Sequence, residues 1–192
     1  MDIDTAVIAI LQGMTRIPAA LKSWRAPVID LLNDNRFFNC NPEDAAKWRS
    51  IIKALYDSDK TAFSELLGLS WLCFGASFFL IVFFFAGKIS NAPSANIFAN
   101  KEYEMLLRSL NLRRLSYVIL AGDKNQFLTQ LPTIQEKLVD IFRSVTSPVV
   151  QSEVFICIRV LLCRLSPHNL TSFWPVIFTE MVSLLTGSNF LP

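Results

Sequence analysis

The stretch FLTQLPTIQEKLVDI, residues 127–141, decides the fold class of this chain. Its apolar residues recur at steps of four, three, four and three, which places them on one face of an α-helix. Pro132 either kinks this helix or marks its true start. We therefore expect one buried helical stripe, formed by Phe127, Leu131, Ile134, Leu138 and Ile141.

The same helical signals recur outward from this stretch in both directions. Ser147-Pro148 and Ser166-Pro167 open two later helices, and Asn41-Pro42 opens an earlier one. Ser and Asn cap free backbone amides, and Pro suits the first helical turn because it has no amide to bond. These patterns predict an all-α fold of antiparallel helical hairpins, resembling an armadillo or HEAT array without an exact internal repeat.

Prolines complicate the N-terminal part of this prediction. A first helix is expected over Asp4–Leu21, unless Pro18 ends it early. Ser23 is the expected cap of a second helix that begins shortly before Pro27. Further along, a helix is expected over Lys101–Ala121, because apolar residues recur at helical spacing and Gly122 follows.

Composition and charge exclude some classes of function. The formal net charge is only +2, and the basic residues are spread out, which argues against a nucleic-acid binder. Arg113 and Arg114 form the densest basic spot, and we expect both to be solvated helix charges.

The chain contains little from which an active site could be assembled. His168 is the only histidine and lies at a helix start, where a surface or capping role is more common than catalysis. None of the four cysteines forms a C-x-x-C pair, and Cys157 and Cys163 are expected to be buried thiols. Glu136 and Asp140 share a helical face, as solvated surface acids. We therefore predict no enzyme activity, no cofactor, no metal and no small-molecule substrate.

One apolar segment does not fit the pattern on either side of it. The 22 residues LLGLSWLCFGASFFLIVFFFAG, from Leu66 to Gly87, carry no charge, and an apolar run of this length can cross a bilayer. We expect a long apolar helix at about 62–87, which is either a membrane span or a buried core helix. The candidate membrane residues are Leu66, Leu69, Trp71, Leu72, Phe74, Phe78, Phe79, Leu80, Ile81, Val82, Phe83, Phe84 and Phe85.

Several stretches resemble the C-terminal region of the Dopey family of membrane-traffic scaffolds. They include WRAPVIDLLNDNRFF (24–38), KWRSIIKALYDSDKTAF (47–63) and LRRLSYVILAGDKNQF (112–127). RVLLCRLSPHNLTSFWPVIFTEM (159–181) is the most specific, because the spacing of its proline, histidine and tryptophan is unusual. The resemblance makes residues 1–192 a single Dopey-like helical domain, and it covers most of residues 20–182.

The resemblance implies a peripheral scaffold on the cytosolic face of Golgi and endosomal membranes. It also implies protein partners: an Arf-exchange-factor-like scaffold, an aminophospholipid flippase and, in animals, kinesin light chain. The expected function is therefore non-enzymatic protein binding in vesicle-mediated transport between Golgi and endosomes. The alternative is a small integral membrane protein anchored by Leu66–Gly87.

This chain departs from the family pattern in two places. In the family, sequence similar to FSELLG is followed almost directly by sequence similar to KISNAPSANIFANKE, so residues 66–87 contain an insert. The insert ends in IVFFFAG, whose codons resemble the pyrimidine-rich end of an intron, and translated intron is therefore a third interpretation of the segment. The second departure begins at Val182, where the family helix should continue. We therefore expect this chain to be a fragment.

Overall fold

The computed structural model describes residues 5–72, 97–144 and 147–187, and all regular structure within these ranges is helical, as the sequence predicts. Short 3-10 turns at Pro18–Ala20, Phe37–Asn39, Leu128–Gln130 and Pro167–Leu170 join some of the longer helices. The longer helices are α1 (Thr5–Met14), α2 (Leu21–Asn33), α3 (Pro42–Ser58), α4 (Lys60–Leu72), α5 (Ile97–Ala121), α6 (Leu131–Ser144), α7 (Pro148–Arg164) and α8 (Phe173–Gly187).

Helix starts follow the predicted proline placement at α3, α6 and α7. The Asn41 side chain accepts a hydrogen bond from the Asp44 amide at 2.8 Å, and Pro42 is the first residue of α3. Pro148 is likewise the first residue of α7. The Ser147 side chain forms no capping hydrogen bond at α7, however, and Ser166-Pro167 opens a 3-10 turn rather than α8. Pro132 is the second residue of α6, so it marks the start of that helix rather than a kink.

The helix expected over Asp4–Leu21 ends early, at Met14, which agrees with the alternative that Pro18 interrupts it. Ile17 is extended, with φ −110° and ψ 102°, because Pro18 disfavours the helical conformation in the residue before it. A 3-10 turn then leads directly into α2, which begins at Leu21. Ser23 is therefore not the cap, and Pro27 lies inside α2, where its missing amide removes one backbone hydrogen bond.

The core is one continuous cluster that draws on the apolar stripes identified from sequence. All five stripe residues of residues 127–141 are buried. The α7 stripe is buried as well, as is the α3 face. The members of these two faces are Val150, Val154, Ile158, Leu161, Leu165, Trp48, Ile51, Ile52 and Leu55.

Helices pack mainly against near neighbours along the chain, including alternate ones. The most extensive contact is between α5 and α7, and further contacts join α1 to α3, α3 to α5 and α6 to α8. Arg113 of α5 donates to Glu153 of α7 at 2.9 Å, and Arg164, at the end of α7, donates to the Gly122 carbonyl just after α5. Both pairs form only if α5 and α7 run in the same direction.

Only the first part of the apolar segment falls within the described structure. Phe63, Leu66 and Leu67 of α4 face the core, and Leu66, the first of the candidate membrane residues, is 5% exposed. Leu69, Trp71 and Leu72 lie in the last turn of α4. Phe74, Phe78, Phe79, Leu80, Ile81, Val82, Phe83, Phe84 and Phe85 lie outside the described residues.

The long apolar helix expected at about 62–87 is therefore not found in full. The described helix there ends at Leu72. Within the described ranges, no helix has the length and apolarity needed to cross a bilayer.

Candidate interaction surface

Two loops that lie about 40 residues apart meet at Asn125, in the loop after α5. The Asn125 amide donates to the Arg164 carbonyl at 2.9 Å, and its side-chain oxygen accepts from the Ser166 amide at 2.8 Å. Its side-chain amide also donates to the Ser166 hydroxyl at 2.9 Å. Asn125 therefore joins the end of α5 to the loop between α7 and α8, and we call this contact the Asn125 clasp.

The backbone of the loop that carries this clasp is tightly constrained. Asn125 has a φ of 63°, a left-handed conformation that asparagine tolerates better than most residues. Gly122 lies under Phe127, and a Cβ placed on it would approach the Phe127 ring to 2.6 Å. The loop thus needs the small residue at one position and the asparagine at the other.

A cleft of about 440 Å³ opens beside this loop, against the corner between α3 and α4. Its floor is aromatic: Phe63 and Phe127 stack with ring centroids 4.1 Å apart, and Tyr56 meets both rings edge-on. Burial raises the pKa of Tyr56 well above its ordinary value. The tyrosine is therefore a neutral hydrogen-bonding group at physiological pH.

The rim of the cleft is charged but internally neutralised. The Lys53 ammonium lies 2.6 Å from an Asp57 carboxylate oxygen and 2.7 Å from one of Asp123. The Gln126 side chain donates to Asp57 at 2.9 Å and accepts from the Asp123 amide at 2.7 Å. These contacts tie the loop to α3. Lys60 also lines the cleft, so the two lysines and two aspartates around it balance in formal charge.

The Arg113–Arg114 pair is not a pair of solvated charges, and that expectation is wrong for Arg114. Arg114 is 4% exposed and donates to the carbonyls of Leu32 at 2.9 Å and Asn33 at 2.7 Å. The last carbonyls of a helix lack intrahelical donors, so a buried guanidinium that reaches the end of α2 satisfies them. Arg113 binds Glu153, which is 1% exposed.

The two cysteines of α7 differ in environment. Cys157 is fully buried, and the loss of solvation raises the pKa of its thiol to about 11, so the thiol stays protonated and unreactive. Cys163 is exposed, which contradicts the buried position expected for it. Six residues separate them, about 240° around an α-helix, so the two side chains cannot share the buried face.

A cluster of charged groups ties α2 to the corner between α3 and α4. Arg25 donates to Asp59 and, at 2.8 Å, to Glu65. The Asp59 carboxylate also accepts from the Thr61 hydroxyl at 2.7 Å and the Thr61 amide at 2.9 Å. The hydrogen bonds from Thr61 and then Arg25 lower the pKa of Asp59 to about 2.

The sequence-level candidates for chemistry are not brought together. His168 is exposed in the loop after α7, and Glu136 and Asp140 lie on the solvent side of α6. Throughout the described part of the chain, no group of three or more His, Cys, Asp or Glu side chains could hold a metal ion.

A groove runs along the solvent side of α6 and α8. It consists of two open depressions of about 370 and 310 Å³ that share Arg143 and Val176. Arg143 of α6 donates to Glu180 of α8 at 2.9 Å, and its neighbour Val139 also borders the groove. We call this surface the α6–α8 groove.

Sequence reasoning did not identify this groove or the Asn125 clasp. Each groove residue has an unremarkable sequence context, because the feature arises only when two helices about 40 residues apart lie side by side. The clasp has a detectable signal: Gly122-Asp123 and Ser166-Pro167 are both turn sequences, and both lie within the stretches quoted for the family resemblance.

Comparison with known proteins shows what class of protein carries this helical arrangement. A family model described as DOP1 C-terminal matches residues 1–190. The chain is 36% identical to the Protein DOP1 homolog of Drosophila melanogaster over 180 residues, which is 93% of this chain and 6% of that protein. It is 35% identical to Protein pad-1 of Caenorhabditis elegans over 179 residues, 92% of this chain and 7% of that protein.

A more distant relative is Protein DOP1B of Mus musculus, at 27% identity over 173 residues, covering 90% of this chain and 6% of that protein. No solved structure gives a significant match. The described part of the chain is all-helical, and the chain spans only a small part of the length of these relatives. It belongs to the DOP1 family, in the C-terminal region, which confirms the resemblance to the Dopey family.

Proposed function

We propose that this chain is part of a non-enzymatic scaffold in vesicle-mediated transport between Golgi and endosomes, acting by protein binding at the membrane surface. Membership of the DOP1 family over nearly the whole chain carries the proposal. Its proposed partners are those the family resemblance implies: an Arf-exchange-factor-like scaffold, an aminophospholipid flippase and kinesin light chain. The proposed location is the cytosolic face of Golgi and endosomal membranes.

The packing pattern supports a binding role. Contacts between alternate helices, together with the shared direction of α5 and α7, are typical of armadillo and HEAT arrays, and we propose that architecture for the domain. Such arrays offer long surfaces between successive helices, and they bind other proteins without needing an active site. The exposed apolar side chains Val149, Ile156 and Phe178 are available on these outer surfaces.

Co-precipitation from cells tests the scaffold. A tagged form of the chain should enrich the Arf-exchange-factor-like scaffold or the flippase, and it should co-localise with Golgi or endosome markers. The matched control carries Ile177→Asp, which places a charge at a fully buried position and should unfold α8. A chain that is diffuse in the cell and enriches none of the three proposed partners would contradict the proposal.

Carbonate extraction of membranes separates peripheral attachment from the alternative of an integral protein anchored by Leu66–Gly87. A peripheral scaffold is released at high pH, whereas an anchored protein stays with the bilayer. The comparison chain lacks residues 69–87, and the scaffold hypothesis expects both chains to be released. Retention of the full chain alone would favour the anchor.

The transcript tests whether residues 66–87 are native sequence. Translated intron predicts that the major spliced message joins the codons near Gly68 directly to those near Lys88. A major message that encodes the whole segment would contradict this hypothesis.

A further inference from the structure

The α6–α8 groove combines an apolar floor with unbalanced negative charge. Val139 and Val176 border it, together with Pro132 and Pro175 near the starts of the two helices. Val176 of α8 is 36% exposed, whereas Val139 of α6 is only 8% exposed and lies at the base of the groove. An apolar floor left open between two packed helices is a surface on which a third helix can seat its own side chains.

The charges around the groove are not equally compensated. Arg143 is already bound to Glu180, which is 7% exposed, so this pair contributes no net charge. Asp140 lies 3.8 Å from the Lys137 ammonium and also interacts with Arg143. The three acids Glu136, Asp140 and Glu180 therefore exceed the two bases Lys137 and Arg143 by one charge. Glu136 is exposed and forms no hydrogen bond or ion pair with the described residues. The charge left for an occupant to meet is therefore negative.

The spacing of the two acids indicates the form of the occupant. Glu136 and Asp140 are four residues apart on α6, which puts them on one face about 6 Å apart at the Cβ atoms. Two cations four residues apart on a partner helix have the same spacing. An amphipathic helix with an apolar face and such a basic pair therefore matches both the floor and the charge of the groove.

We infer that the α6–α8 groove docks a basic amphipathic helix of a partner protein. Apolar side chains of that helix cover Val139 and Val176, and its lysines or arginines pair with Glu136 and Asp140. This inference rests on the proposed scaffold function and specifies one surface through which it acts.

The test uses the full 192-residue chain and two synthetic peptides. Both peptides have 18 residues and are held helical by a crosslink on the face away from the groove. Leucine and alanine form the face that meets the groove. One carries lysines four residues apart beside the apolar face, and the other carries glutamates there. Fluorescence anisotropy at low and high salt should show at least roughly tenfold tighter binding of the lysine peptide, with the difference falling as salt rises.

Charge reversal supplies the decisive comparison. The double variant Glu136→Lys, Asp140→Lys should bind the lysine peptide about tenfold more weakly. It should bind the glutamate peptide with an affinity comparable to that of the lysine peptide. The matched control is Asp30→Lys with Glu102→Lys, two exposed acids outside the groove, which should leave the preference unchanged. Val176→Asp should weaken both peptides, whereas Val149→Asp, at an exposed position on α7, should not.

Three results would overturn the groove assignment. These are no binding of either peptide, a preference that survives the double reversal, and an equal effect of the control pair. Thermal unfolding of each variant checks that its fold is kept. If the peptides fail while the chain still enriches its proposed partners from cells, the groove is wrong and the scaffold function stands. If the peptides bind as expected while the chain enriches none of its proposed partners from cells, the groove stands and the scaffold function is wrong.

Discussion

At the scale of single residues, several contacts between distant parts of the chain or within a loop each depend on the identity of one residue. Asn125 adopts a left-handed backbone conformation and bonds two backbone groups of a distant loop. Gly122 allows the Phe127 ring to approach the backbone. Arg114 satisfies the end of a helix that lies about 80 residues away in sequence.

Replacing Gly122 by alanine should destabilise the fold. The added Cβ would lie 2.6 Å from the Phe127 ring, which is itself held by stacking on Phe63, so we expect a loss of about 1–3 kcal/mol in the free energy of unfolding. Urea denaturation measures it. Gly13→Ala is the matched control: nothing lies within 4 Å of its added Cβ, and alanine in helix α1 should stabilise by about 0.5–1 kcal/mol. Equal effects at both glycines would refute the steric account.

Replacing Arg114 by methionine should lower the free energy of unfolding more than the same change at an exposed arginine does. The change leaves the Leu32 and Asn33 carbonyls without their buried donor, so we expect a loss of about 2–4 kcal/mol. Arg159 is exposed on α7, and Arg159→Met should change stability by less than about 0.5 kcal/mol. Chemical denaturation of both variants gives the comparison, and a near-neutral Arg114→Met would show that α2 does not need this cap.

At the scale of elements, ion pairs and helix caps work together at the corner between α3 and α4. Asp59 caps the start of α4 through Thr61 and holds α2 through Arg25. Because one carboxylate serves two helices, α2 and α4, its protonation affects the packing of both of them.

Stability should fall in acid through Asp59. Its pKa is about 2 in the folded chain against roughly 3.9 in an unfolded one. A lowered pKa stabilises the fold fully above about pH 4, and this contribution is lost as the pH falls toward 2. Urea unfolding across pH 6 to 2 should show a smaller pH dependence in Asp59→Asn, which keeps a capping side chain without the charge.

Asp34 provides the comparison for this experiment. Its pKa is also lowered to about 2, but by Arg36 only two residues away. A contact so local persists in part in the unfolded chain, so Asp34→Asn should alter the pH dependence less than Asp59→Asn does. The reverse order would contradict the assignment of the acid-sensitive link to Asp59.

At the scale of the whole molecule, the core is one continuous cluster, but each helix packs mainly against its near neighbours along the chain. We therefore expect α1 and α8, at the two ends of the described chain, to respond separately to damage. Ile8 in α1 and Ile177 in α8 are both fully buried, and truncating either to alanine should cost about 2–5 kcal/mol.

Hydrogen exchange should reveal this separation. Ile177→Ala should increase exchange chiefly in α8 and α6, whereas Ile8→Ala should increase it chiefly in α1 and α3, since these are the helices each one contacts. The effects on the free energy of unfolding should add in the double variant. A uniform increase of exchange over the whole chain in either variant would show a single cooperative unit instead.

The sequence predicted those features of the fold whose physical cause lies in nearby residues. The stripes of α6 and α7, the Asn41 cap and the helix end at Gly122 were predictable, because each depends on residues within one or two turns. The early end before Pro18 was also indicated, because the restriction that a proline places on the preceding residue is local, whereas the start of α2 at Leu21 and the place of Pro27 inside it were not predicted. Arg114 and Cys163 were misjudged because helical sequence alone does not identify the side that a neighbour covers.

The sequence by itself determined that the chain is helical, which residues form the core stripes, and the family to which it belongs. Helical periodicity and capping are short-range properties, and the family is encoded in the order of residues. Only the tertiary structure decided which arginine is buried, where the two loops join at Asn125, and that α6 and α8 enclose an acidic, apolar groove. Those features require side chains about 40 or 80 residues apart to meet, and the distances between them are set by the packing of whole helices.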